Sequence, residues 1–203
     1  MRGLQLPPSR STHRPSRPYR YLVVSLLAAL ALLAVPAVAS AAKGFTEQVA
    51  SARWSTPFQC PDGSTAADGR LIVETDNFIE AGTTPDPNPP LRVGFVGQCP
   101  DGTFSWGFVR AAPTQFDPDL KNVTVSGTFA NVRDNRGGLH TVSVDARWTA
   151  TGPVMTTVNG PGSMRRQRAA TATATVVFDG STLVDGAANF PFPAPFIRVD
   201  TEK

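Results

Sequence analysis

Histidine is nearly absent from this sequence: its 203 residues hold two, His13 and His140. That excludes a multi-histidine zinc site. A Ser-His-Asp triad would have to use His140, and no Gly-x-Ser-x-Gly elbow accompanies it. His140 follows the turn Asp134-Asn-Arg-Gly-Gly138 and opens a strand on its apolar side, so it reads as a partly exposed strand-end histidine. Cysteine is as scarce, with Cys60 and Cys99 alone and no Cys-x-x-Cys pair for metal or redox work. Helical spacing of apolar residues is hard to find after residue 43. Acidic residues are missing from the first twenty positions, which hold five arginines.

That last absence belongs to an ordered pattern. The basic segment is followed by the apolar run Tyr21–Val35, then Pro36, then the small residues Ala37-Val-Ala-Ser-Ala-Ala42. Basic, apolar and small in that order predict a secretory signal peptide over residues 1–42, with cleavage between Ala39 and Ala42. The run is about 15 residues long, short of the ~20 that a spanning helix needs, and Pro36 breaks it. An N-terminal membrane anchor is the alternative. No cysteine follows the run and no Arg-Arg pair precedes it, so a Sec-type signal is expected rather than a lipoprotein or twin-arginine one. The whole chain has a net charge of +3, with 19 Lys+Arg and 16 Asp+Glu; removing the five leader arginines leaves it at −2. The mature chain therefore lacks the basic balance that nucleic-acid binding requires.

Export also explains the cysteines. An even number in an oxidising compartment predicts one disulfide, Cys60–Cys99. Each lies in the same pentapeptide, Gln-Cys-Pro-Asp-Gly, at 59–63 and 98–102. Pro and Gly at those positions suit a tight turn. Closing a loop of about 40 residues is worth roughly 4 kcal/mol in the chain-entropy account.

Residues 43–203 predict a single antiparallel β domain. Ala52, Trp54, Phe58 and Cys60 share one face, as do Leu71 and Val73, then Leu91, Val93, Phe95 and Cys99, then Phe104, Trp106 and Phe108. The pattern is plainest in the second half. Val123, Val125 and Phe129 alternate with Thr124, Ser126 and Thr128; His140, Val142, Val144, Ala146 and Trp148 alternate with polar residues; Ala170, Ala172, Ala174, Val176 and Phe178 alternate with threonines. Such alternation marks strands with one wet face. The small alanines leave room for Trp148. About eight strands in one domain predict a β-barrel or a β-sandwich. Gly82–Pro90, with four prolines, reads as a rigid loop, and the Phe/Pro-rich Phe190–Phe196 as an edge or covering strap.

Candidate sites follow from this layout. Trp54, Phe95, Phe104, Trp106, Phe108 and Trp148 are candidates for lining a cavity that holds an apolar molecule; otherwise they are core. Arg165, Arg166 and Arg168 read as a loop open to an anionic partner. The carboxylates Asp62, Asp68, Glu74, Asp76, Glu80, Asp117, Asp119 and Asp145 are scattered, and a hydrolase would need two of them facing across a cleft. Asp117-Pro-Asp119 and the Asp62–Asp68 stretch are the calcium candidates, without an EF-hand loop. Asn122-Val-Thr124 is a glycosylation sequon at the start of a strand. The threonine-rich outer face lacks the exposed aromatics that sugar binding uses. No catalytic residue, metal or cofactor is expected.

The segment Val142-Ser-Val-Asp-Ala-Arg-Trp-Thr-Ala-Thr-Gly-Pro153, with Arg168-Ala-Ala-Thr-Ala-Thr-Ala-Thr-Val176, resembles uncharacterised secreted bacterial β-rich proteins. The resemblance implies a β fold and an exported location, and no activity. The expectation is a secreted non-enzymatic β domain that takes an apolar small molecule in a barrel interior. The alternatives are an extracellular structural or adhesion module meeting a cell-surface partner, and a carboxylate-based hydrolase.

Overall fold

A computed structural model of the chain describes residues 44–203. The expected signal peptide with its cleavage region, and His13, lie outside the described residues. The strands are β1 (Phe45–Gln59), β2 (Thr65–Glu80), β3 (Pro90–Cys99), β4 (Gly102–Ala111), β5 (Thr114–Phe116), β6 (Asn122–Arg133), β7 (Leu139–Ala150), β8 (Met155–Gly160), β9 (Ser163–Phe178), β10 (Ser181–Ala187) and β11 (Phe196–Glu202). All pairings are antiparallel. They form one sheet in the order β4-β3-β2-β1-β11-β9-β7-β6-β5, with β8 and β10 also on β9.

The all-β expectation is met, with eleven strands in place of about eight. The additional strands come from segments that carry little alternation. β2 runs well beyond Leu71 and Val73 because Thr75 and Asn77 continue its buried face. Asn77 donates there to the carbonyl of Asp86 at 3.3 Å, while its Oδ1 is buried without a partner. β10 follows a two-residue Asp179-Gly180 hairpin, both residues at positive φ, the backbone that an Asp-Gly turn favours. The reading of Arg165, Arg166 and Arg168 as a loop is corrected: all three lie within β9, Arg165 and Arg166 paired with both β8 and β11 and Arg168 with β11. Arg165 sits opposite Asp200 and binds it at 2.7 Å. A strand that carries ion pairs on half-wet faces has no apolar alternation to announce it.

The inner faces meet in one hydrophobic cluster. Trp148 is fully buried opposite Ala172, so the alanines of β9 do make room for it. Both cysteines face inward and form the disulfide, linking the ends of β1 and β3. The proline-rich loop between β2 and β3 is stapled to the chain after β4: Pro89 and Pro87 carbonyls accept from Ala112 and Thr114 amides.

The C-terminal prolines govern the centre of the sheet. β11 pairs with the first half of β9 only as far as Ala169, and the last bond runs from the Ala170 amide to the Pro195 carbonyl. Prolines at 191, 193 and 195 cannot donate to a ladder, so β11 stops there and β10 takes the second half of β9. Between β10 and β11 the chain crosses to β1, where Asn189 brackets Ser55 through its amide and carbonyl at 2.6 and 2.8 Å. Phe190–Phe196 is thus a strap over Phe190–Pro195, with Phe196 already in β11.

Candidate functional site

The disulfide end of the fold holds an aromatic-walled cleft of about 460 Å³. Phe58 and Gln59 come from the end of β1, Phe95 from β3, Phe104 and Trp106 from β4, and Phe178 from the end of β9; Asp179, Ser181 and Thr182 form its other lip. Strand register assembles the wall. Phe95 lies directly opposite Trp106, and the two rings stack at 5.7 Å between centroids. Trp106 stacks in turn on Phe178 at 5.3 Å. Phe58 meets Phe95 edge-on at 4.9 Å, within the range where aromatic pairs add to simple burial. Two glycines admit these rings: a Cβ on Gly97 would collide with Phe58, and one on Gly69 would lie 2.7 Å from the Phe95 ring and 2.9 Å from that of Phe58. The inner wall is apolar but nearly closed, with Phe58, Phe95, Phe104 and Trp106 only 3–6% exposed, while Gln59, Thr65, Asp179, Ser181 and Thr182 supply hydrogen-bonding groups around the mouth. Such a cleft suits an apolar body that carries one polar end.

Of the six candidate cavity residues, Phe95, Phe104 and Trp106 line this cleft. Trp54 and Trp148 do not reach it; both are fully buried, and Trp54 donates its indole N–H to the Gly186 carbonyl at 3.1 Å. Phe108 packs on Phe129 with centroids 4.7 Å apart. Phe58, which the sequence left open between core and cavity, and Phe178, which it placed inside, are wall residues as well. Each lies beside a turn, the position at which an inward side chain can border an opening.

Next to the wall stands a cluster that the sequence did not reveal. His140 is held from both sides: Nδ1 lies 2.6 Å from Asp179 Oδ2 and Nε2 lies 2.9 Å from Asp134 Oδ2. Its ring packs 4.5 Å from Phe178. Burial opposes the imidazolium, but hydrogen bonds to Asp134 and Asp179 outweigh it, and its pKa is raised. Burial likewise pushes the Asp134 carboxyl up, but the His140 bond and the Arg136 and Gly138 amides outweigh it, and its pKa is lowered. Asp179 is lowered against its own burial by the Thr141 amide and His140. When protonated, His140 donates from both nitrogens to carboxylates and has no free lone pair to act as a base. It joins the β6–β7 turn to the β9–β10 turn and so fixes one lip of the cleft. Arg136, in the same β6–β7 turn, binds Asp101 with two bonds of 2.6 and 2.7 Å.

The scattered carboxylates stay scattered. None of Asp62, Asp68, Glu74, Asp76, Glu80, Asp117, Asp119 and Asp145 lines the aromatic cleft. Asp62 caps its own turn through Ser64, and Asp117 accepts the Asp119 amide at 2.9 Å. Among the described residues no group of three or more His, Cys, Asp or Glu is placed to hold a metal ion. Asn122 is the first residue of β6 and accepts from the Thr149 hydroxyl at 3.3 Å.

No protein-family model matches this chain, and neither does any curated protein or solved structure. What the cleft can bind follows from its own chemistry.

Proposed function

We propose that this chain is an exported, non-enzymatic binding module that takes an apolar small molecule at the disulfide end. The apolar body would lie on Phe178 and on the edges of Phe95, Phe104 and Trp106, with a polar end at the lip formed by Asp179, Ser181 and Thr182. The observation that carries this reading is the aromatic-walled cleft of about 460 Å³, a volume within the usual ligand-pocket range. The fold reading that goes with it is a partly closed barrel. Its support is the bridge from Trp106 to Asp134, which joins the β4 edge to the β6–β7 turn. Export is supported by the basic, apolar and small order of residues 1–42 and by the disulfide.

The test is native mass spectrometry of the protein secreted by its host, beside a Ser181→Trp, Thr182→Trp variant that obstructs the lip without touching the core. A small molecule on the wild type, absent from the variant, supports a carrier. An empty wild type that takes up no added apolar ligand overturns it.

A second reading, a structural or adhesion module, is favoured by β8. All but the last of its residues are exposed, Val158 to 73%, and it carries no charge. An edge strand without charge is open to pairing with another chain.

A further inference from the structure

The outer face of the sheet carries a second pocket, on the opposite side of β1–β3 from the core. It has a volume of about 260 Å³ and is bordered by Arg53 on β1, Arg70 and Ile72 on β2, Val96 on β3 and Phe190 of the strap. Register explains the grouping. Arg53 stands opposite Ile72, and Arg70 stands opposite both Ser55 and Val96. The two arginines are therefore diagonal neighbours on one face, close enough for their guanidinium groups to converge on one anion. Phe190 closes the apolar side; the Arg70 guanidinium lies 5.3 Å from its ring centroid, and the Asn189–Ser55 bonds hold the strap in place.

Three other arginines of this face are ion-paired. Arg92 pairs with Glu74 at 3.5 Å, Arg198 with Asp200 at 2.8 Å and Arg165 with Asp200 at 2.7 Å. Arg70 has only Asp68, at 3.8 Å and with both side chains more than half exposed, a pair of little strength. Arg53 is half-buried and has no carboxylate partner among the described residues, and its Nε is buried without a hydrogen bond. That N–H carries an unmet desolvation cost. Two under-neutralised arginines beside Ile72, Phe190 and a Val96 that is 44% exposed make a site with one cationic end and one apolar end.

We propose that this pocket binds a small amphipathic monocarboxylate. Its carboxylate would bridge Arg53 and Arg70, and its short aliphatic or aryl tail would lie on Ile72, Val96 and Phe190. Arginine suits this role because its planar fork meets a carboxylate through two parallel bonds. The site is separate from the aromatic cleft and does not depend on what the cleft holds.

The test is a titration of the isotope-labelled mature protein with octanoate, followed by amide NMR, with octanamide as the uncharged control. The expected result is saturable shifts centred on Ile72, Val96 and Phe190, with octanamide at least about tenfold weaker because it forgoes the charge-assisted bonds. Arg70→Gln, at an exposed position that leaves the fold intact, should weaken octanoate about tenfold, and Arg53→Gln, Arg70→Gln together should abolish the shifts. Equal binding of octanamide, shifts confined to the aromatic cleft, or no shifts at millimolar octanoate would overturn the proposal.

Discussion

Residues 163–168 and 170–178 belong to one continuous strand, yet the first stretch lies between β8 and β11 and the second between β7 and β10. The second has one dry face. Ala170, Ala172, Ala174 and Val176 are buried, and Thr171, Thr173 and Thr175 are exposed. The first has no dry face; Arg165, Arg166, Gln167 and Arg168 are all half-buried. Its side chains are held by polar partners: Arg165 by Asp200, and Arg168 by the Gly152 carbonyl at 2.8 Å. The same backbone ladder is thus supported by apolar packing at one end and, at the other, by a half-buried ion pair and a side-chain bond to a carbonyl. These supports differ in strength, because buried apolar volume is costly to remove and an ion pair still in touch with solvent is less so.

The difference can be broken most sharply at Trp148, opposite Ala172. Trp148→Ala should cost about 3–5 kcal/mol, the range for emptying a buried aromatic site, measured as a fall in the urea midpoint at unchanged slope. A loss near zero would mean that the alanine face of β9 is not packed against this ring. A smaller effect is expected where the dry half ends, at His140. His140→Gln leaves the buried Asp134 carboxylate without its imidazolium, a loss of about 1–3 kcal/mol. It should also change the pH profile. A histidine whose pKa is raised on folding contributes fully below its unfolded value and loses that contribution as pH rises through the folded value. The carboxyls of Asp134 and Asp179, lowered on folding, contribute above their unfolded value and lose this as pH falls through the folded ones. The wild type should therefore weaken relative to the variant on going from neutral to alkaline pH, and again toward strong acid. Parallel urea profiles across that range would show that the three groups do not titrate together. The smallest effect belongs to the wet half. Arg165→Met should change stability by less than about 1 kcal/mol, and that change should shrink further in high salt. A loss as large as that at Trp148 would erase the contrast.

The same contrast governs what could be read in advance. The alternation in β6, β7 and the second half of β9 was legible because each has a buried face, and so was the inward aim of Cys60 and Cys99. The run Arg165-Arg-Gln-Arg168 was not, since a strand with ionic partners on half-wet faces shares its composition with a loop. β10 was not legible although Asp179-Gly180 carried a two-residue hairpin signal, because its apolar residues Leu183 and Val184 are adjacent rather than alternating and a register shift falls between Thr182 and Val184. For the cleft, Phe95, Phe104 and Trp106 were legible as an inward aromatic group. That Trp54 and Trp148 are sealed within the core, while Phe58 and Phe178 border an opening, was not.

The sequence alone determined which residues turn inward, since period-2 alternation is a local property of an extended backbone. It also determined the tight turns after Cys60 and Cys99 and the proline strap. Only the tertiary structure decided who stands beside whom. β11 is inserted between β1 and β9, His140 meets a carboxylate 39 positions away, and Arg53 and Arg70 share a pocket with Phe190. Alternation assigns a side chain to a face but carries no record of the neighbouring strand; that is set by turn geometry, by where prolines end a ladder, and by the burial that the whole sheet achieves.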